Sequence, residues 1–226
     1  DGNGRTVSGD VTIRVSVLDP TTSAGLEAFP GDFEARRTDG TTTLLETYVL
    51  ASIRATQGTS ELNLASGKAA SITIAIPTAA QASAPATIPL WSLDPATGSW
   101  REEGVSQRSG TTYTANIPHL SWWNWDAPMR DRTTCIRGCV VSANDARTIS
   151  NARVVATGVD YRGQSITYTG SDGCFAMNVG KNSQVRVVAS WSTMDSAERV
   201  VMTENVTRLV ADGPAACQDL GNLALG

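Results

Sequence analysis

Strict two-residue alternation of apolar and polar side chains constrains this chain more than any other feature. Val11, Ile13, Val15 and Val17 are interleaved with Thr12, Arg14 and Ser16, and Ile72, Ile74 and Ile76 with Ser71, Thr73 and Ala75. Successive side chains of an extended strand point to opposite faces, so this pattern predicts strands with one buried and one solvated side. Further strands are expected over 47–54, 61–65, 88–93, 99–105, 111–117 and 120–125, bounded by Gly-Thr, Ser-Gly-Lys, Asp-Pro and Ser-Gly breaks. Residues 20–36 read as a long loop with one helical turn, and 77–87 as a small-residue loop. No periodic segment supports a helix longer than two turns. The expected fold class is all-β, with two β-sandwich domains in series.

The boundary is expected over 127–133, where Ala-Pro-Met-Arg-Asp-Arg-Thr is polar and carries a proline. The first domain then spans 10–128, after a flexible leader at 1–9, and the second spans 134–226. In the second, strands are expected over 134–142, 151–157, 164–169, 173–178, 184–191, 197–203, 206–210 and 221–225. At 226 residues the chain can bury two cores of ordinary size. It starts at Asp1 with neither an initiator methionine nor an apolar leader, as in a mature or excised segment. No run approaches the ~18 apolar residues of a membrane span. The net charge of −4, without a basic stripe, lacks the electrostatic footprint of a nucleic-acid binder.

Tryptophan and cysteine divide the chain unevenly. Trp91, Trp100, Trp122, Trp123 and Trp125 fall within one stretch of the first domain, residues 88–126, together with the single histidine, His119. All four cysteines, Cys135, Cys139, Cys174 and Cys217, fall in the second half. An even count in a β-rich segment without Cys-x-x-Cys points to two disulfides and an oxidising compartment, with three connectivities open. Their spacings do not match zinc knuckles, and neither a metal nor another cofactor is expected. The Asn205-Val206-Thr207 sequon carries little weight.

Two resemblances follow from longer motifs. Phe29-Pro30-Gly31-Asp32-Phe33-Glu34-Ala35, the segment Pro89–Gly104 with its two tryptophans, and the closing Trp123-Asn124-Trp125-Asp126-Ala127-Pro128 resemble the extracellular module of cartilage intermediate layer proteins over about 26–140. That resemblance implies a structural module of the matrix or cell surface and assigns no catalytic residue. Downstream, Gly138-Cys139-Val140, Ala152-Arg153-Val154 and Thr169-Gly170-Ser171-Asp172-Gly173-Cys174-Phe175 resemble the carboxypeptidase regulatory-like domain, a seven-stranded transthyretin-like sandwich. Such modules serve as spacers or platforms. In them the first strand lies beside the last, which implies the pairs Cys135–Cys217 and Cys139–Cys174.

Residues able to carry chemistry are few. His119-Leu120-Ser121 matches the His-(Phe or Leu)-(Ser or Thr) tripeptide at which several extracellular β-modules cleave themselves. Ser121 Oγ would attack the Leu120 carbonyl with His119 as base, and Pro118 would set the kink. Adjacent Trp122 and Trp123 point to opposite faces of a strand, so one is expected to leave the first core and pack on the second domain. An exposed pair would instead offer a platform to sugar rings. Trp91 and Trp100 flank the Asp94–Gly98 turn and are expected to pair across a hairpin.

Glu102 and Glu103 are neighbours in a strand and cannot face one substrate together. Asp1, Asn3, Asp160 and Asp172 lack the spacing of a calcium loop. Lys68 and Lys181 sit in turns, which argues against isopeptide cross-links. The sequence therefore reads as a non-enzymatic structural or adhesive module, secreted or on a cell surface. Its expected partners are other extracellular proteins and glycans, and the competing readings are an autoproteolytic module and a carbohydrate binder.

Overall fold

The computed structural model describes residues 5–31 and 33–226. Asp1 and Asn3, with the first part of the leader, lie outside the described residues, as does Asp32. The chain divides into two compact units between Pro128 and Met129, with Phe33 and Glu34 grouping with the second. The fold is all-β.

The first unit holds β1 (Thr12–Leu18), β2 (Glu34–Arg36), β3 (Thr42–Gln57), β4 (Ser60–Leu62), β5 (Ala70–Ala75), β6 (Thr87–Asp94), β7 (Ser99–Ser109), β8 (Thr112–Ile117) and β9 (Trp122–Pro128), with short helices α1 (Ser23–Glu27) and α2 (Thr78–Gln81). The nine strands form one sheet whose main path runs β1-β3-β9-β6-β7-β8-β5. Although β3 and β5 lie far apart on that path, Tyr48, Val49 and Ile53 of β3 share a core cluster with Ile74 of β5, Tyr113 of β8 and Trp123 and Trp125 of β9. The sheet must therefore fold over on itself, packing its two halves face to face as a sandwich.

Strand β3 is far longer than its expected span, because residues 44–53 are buried on both faces. A central strand covered on both sides loses the alternation that marks its ends. Thr22 Oγ1 accepts the Gly25 N–H at 3.0 Å and starts α1 within the expected loop.

The second unit holds β10 (Thr133–Ser142), β11 (Arg153–Gly158), β12 (Gln164–Tyr168), β13 (Cys174–Gly180), β14 (Gln184–Trp191), β15 (Met194–Asp195), β16 (Arg199–Met202) and β17 (Gln218–Leu225). One sheet runs β13-β10-β17 and the other β12-β11-β14-β15, with β16 also on β14. Ile136, Phe175, Ala152, Val154, Val185, Val187 and Leu223 are buried. Strand β10 pairs in parallel with β17, and Cys139 stands opposite Cys174 across the antiparallel β10–β13 pair. Disulfides join Cys135 to Cys217 and Cys139 to Cys174.

Gly138 sits opposite the Phe175 ring in β13. A Cβ there would approach the Gly221 oxygen to 2.6 Å and the ring to 3.2 Å, so the three strands close only over glycine. The strand expected over 206–210 does not form. Val206 and Leu209 are exposed, and the chain enters a 3-10 turn at Val210–Asp212 ahead of Gly213-Pro214.

Candidate functional site

The five clustered tryptophans split by strand parity. On β9, Trp123 and Trp125 face the core cluster, while Trp122, Asn124 and Asp126 take the other face. Trp123 Nε1–H donates to the His119 carbonyl at 3.1 Å, Trp125 Nε1–H to Ser106 Oγ at 3.0 Å and Trp91 Nε1–H to the Asp126 carbonyl at 3.0 Å. Burying an indole requires such a partner. On the opposite face Thr47 Oγ1 donates to Asn124 Oδ1 at 2.9 Å, and Asn124 Nδ2 to Asp126 Oδ2, all three residues being fully buried.

Two sequence expectations about indoles are corrected here. Trp123 has no exposed surface, so Trp122 and Trp123 make no flat platform for a sugar. Trp122 is half-buried and lines a cavity of about 380 Å³ with Arg54, Leu62, Pro95 and Leu120. Trp100 stands opposite Leu93 rather than Trp91, because the hairpin pairs Asp94 with Ser99 across the turn and so sets Trp91 against Glu102. Its ring partner is Phe29, with centroids 5.3 Å apart. The exposed indole is Trp191, on β14, which the sequence reading did not single out.

The His119-Leu120-Ser121 tripeptide lies in the bend between β8 and β9, since β9 begins only at Trp122. Leu120 N–H donates to Asn63 Oδ1 at 2.7 Å, and Asn63 Nδ2 donates to the Leu120 carbonyl oxygen at 3.4 Å. One carboxamide thus clamps both polar groups of Leu120. His119 stacks on Trp123, with ring centroids 4.8 Å apart, and its Nε2 lies 3.0 Å from Glu103 Oε2. Glu103 Oε1 also accepts Ser92 Oγ–H at 2.6 Å. Ser121 Oγ–H donates to the Leu93 carbonyl at 3.5 Å, and the Ser121 carbonyl accepts from Ile53 N–H at 2.9 Å.

The bend therefore places an imidazole and a hydroxyl on one tripeptide, with the Asn63 carboxamide on the residue between them. Among the described residues no hydrogen bond joins Ser121 Oγ to His119: the imidazole is turned to Glu103 and the hydroxyl to Leu93. Proton transfer would need both side chains to turn toward each other. Asn63 and Glu103 were missed in the sequence because each reaches the bend from a distant element, β4's end and β7. Adjacent Glu102 faces the other way, with its Oε2 3.4 Å from Arg37 Nε.

The remaining candidates have local structural partners. Asp160 accepts the N–H of Gln184, 24 residues on at the start of β14, at 3.1 Å, and Asp172 accepts the Cys174 N–H within its own turn at 3.0 Å. Lys181 Nζ donates to Thr207 Oγ1 at 2.8 Å, and Lys68 lies exposed in a turn closed by its own N–H to the Ala65 carbonyl. Among the described residues no group of three or more His, Cys, Asp or Glu side chains is gathered to hold a metal ion. No described helix is long and apolar enough to cross a membrane.

With this geometry in hand, the chain was compared with known proteins. No protein-family model matches it. Cartilage intermediate layer protein 2 of Mus musculus is 35% identical over 112 residues, covering 48% of this chain and 9% of that protein. The chain thus spans under a tenth of the length of that relative. Among solved structures it is similar to S.CueP, with a TM-score of 0.32 and 9% identity, over 65% of this chain and 83% of the other. It is also similar to the pilus 2b backbone protein of group B streptococcus, with a TM-score of 0.29 and 10% identity over 96% and 94% of the two chains. The shaft pilin spaA of Lactobacillus rhamnosus GG gives a TM-score of 0.28 and 8% identity over 95% and 97%. Likenesses this distant assign no role.

Proposed function

We propose that this chain is a non-catalytic structural or adhesive module of a secreted or cell-surface protein, whose partners are other extracellular proteins. In this reading the second unit is a carboxypeptidase regulatory-like spacer. The observation that carries the proposal is the pairing of all four cysteines, none of them free, so that both cross-links anchor β10, the first strand of the second unit. Disulfides persist where the surroundings are oxidising. The adjacency of β10 and β17 supports the spacer reading, and the partial similarity to cartilage intermediate layer protein 2 supports the matrix or surface setting. The test is alkylation of the protein taken from its native source, unfolded but not reduced. No alkylated cysteine is the expected result; four alkylated cysteines would overturn the proposal.

A second reading is favoured by one observation, the Asn63 amide on the Leu120 oxygen. In it the bond between Leu120 and Ser121 cleaves itself. Ser121 Oγ adds to the Leu120 carbonyl carbon as His119 takes its proton, and Asn63 steadies the developing oxyanion. The carbon–nitrogen bond then breaks as His119 returns the proton to the Ser121 nitrogen, leaving a free amine and an ester, which water hydrolyses to a Leu120 carboxylate and the Ser121 hydroxyl. Denaturing electrophoresis of aged protein would show two fragments that Ser121→Ala abolishes. A single full-length band in both proteins would dispose of it.

A further inference from the structure

The first unit's sheet carries an apolar row that its own fold leaves uncovered. Strand β1 and strand β5 are the two ends of the sheet path. Within β1, Ile13, Val15 and Val17 stand opposite Ala55, Ile53 and Ala51 of β3, and directly paired residues share a face. Those three partners are buried, so the apolar side of β1 continues the core-facing side of β3. Nevertheless Ile13 is 68% exposed, Val15 52% and Val17 51%. The other face of β1 carries Thr12, Arg14 and Ser16, suited to water. A strand patterned for burial on one side, with that side open, is a surface waiting for cover.

The opening is a groove of about 700 Å³ within the first unit. Val11, Ile13 and Val15 line one wall, Ala70 and Ile72 of β5 the other, and Ile53 and Ile117 its base. Each end strand has one edge without a strand partner among the described residues, which is the template on which an extended peptide adds to a sheet. Lys68, a cation, stands exposed on the groove of a chain whose net charge is −4. A carboxylate meets it with the complementary sign.

We infer that this groove binds an extended peptide of a partner protein, apolar at every second residue and acidic at one end. Its apolar side chains would cover Ile13, Val15 and Ile72, its backbone would pair with the free edge of β1, and its carboxylates would lie by Lys68. At ~3.3 Å per residue, the seven residues of β1 offer a pairing length of ~23 Å.

The test uses two fluorescein-labelled synthetic peptides, alternating valine and threonine, one ending in two aspartates and the other in two lysines. Anisotropy titration of the intact chain is expected to show saturable binding of the acidic peptide, at least about tenfold tighter than the basic one. Amides of β1 should exchange more slowly when the acidic peptide is bound. Ile13→Asp should abolish binding while keeping the parental melting temperature, because that side chain is already solvated. Lys68→Glu should reverse the preference between peptides. No saturable binding, equal binding of both peptides, or binding indifferent to Ile13→Asp would overturn the inference. So would a two-chain mass in light scattering that Ile13→Asp reduces to one, since a second copy would then cover the row.

Discussion

The two units solve the same problem, holding β-sheets face to face, by different means. The first contains no cysteine and relies on bulk: its Trp91, Trp100, Trp123, Trp125 and Tyr113 are the largest fully buried side chains of the molecule. The second has a core of smaller residues such as Ala152, Val154, Val187 and Ala189, and ties β10 to β13 and to the start of β17 with disulfides. Large rings remove much apolar area from water per residue ordered, whereas cross-links act chiefly by restricting the unfolded chain. A core of small residues gains less from burial, and there a covalent bond contributes most.

The comparison can be broken in order of expected effect. Replacing Cys135 and Cys217 by serine opens a loop of 82 residues, for which the chain-entropy relation gives about 4.5 kcal/mol. The loss should appear in chemical denaturation as earlier exposure of the second unit. Trp123→Ala removes a fully buried indole and should cost about 3–5 kcal/mol, seen as an earlier transition in the first unit. If that transition moves by under about 1 kcal/mol, the indoles are not what holds the first unit.

Gly138→Ala forces a methyl against the Gly221 oxygen and the Phe175 ring and should cost about 1–3 kcal/mol, again in the second unit. The smallest effect concerns Asp94 in the hairpin turn. The Ala96 N–H, with Arg101 and Thr97 adding to it, holds its carboxyl below the ordinary value of 3.8. A depressed carboxyl contributes stability that is present above 3.8 and fades as the pH falls through the lowered value. Asp94→Asn should therefore lower the melting temperature slightly at neutral pH and leave it unchanged in strong acid.

How much of this could be read from the residues differs between elements. Strands in which apolar and polar residues take turns, such as β1, β5 and β14, show their alternation openly. Strand β3 hides most of its length because both faces are covered, and buried Glu46, Thr47 and Ser52 interrupt its apolar run. The bulge at Leu90 and Trp91 shifts a register that the turn residues alone do not reveal. At the bend, the tripeptide is visible in the sequence, but Asn63 and Glu103 are 57 and 16 residues from the groups they meet, and no local signal links them. In the segment 206–210 the apolar residues are Val206, Leu209 and Val210, which do not alternate, and no strand forms there.

The most direct test of the account is hydrogen exchange of the intact chain with and without reductant, read peptide by peptide. The account predicts that reduction strips protection from residues 133–142, 174–180 and 218–225, while residues 42–57 and 122–128 stay protected. Unchanged protection of the second unit after its disulfides are broken, or equal loss in both, would contradict it.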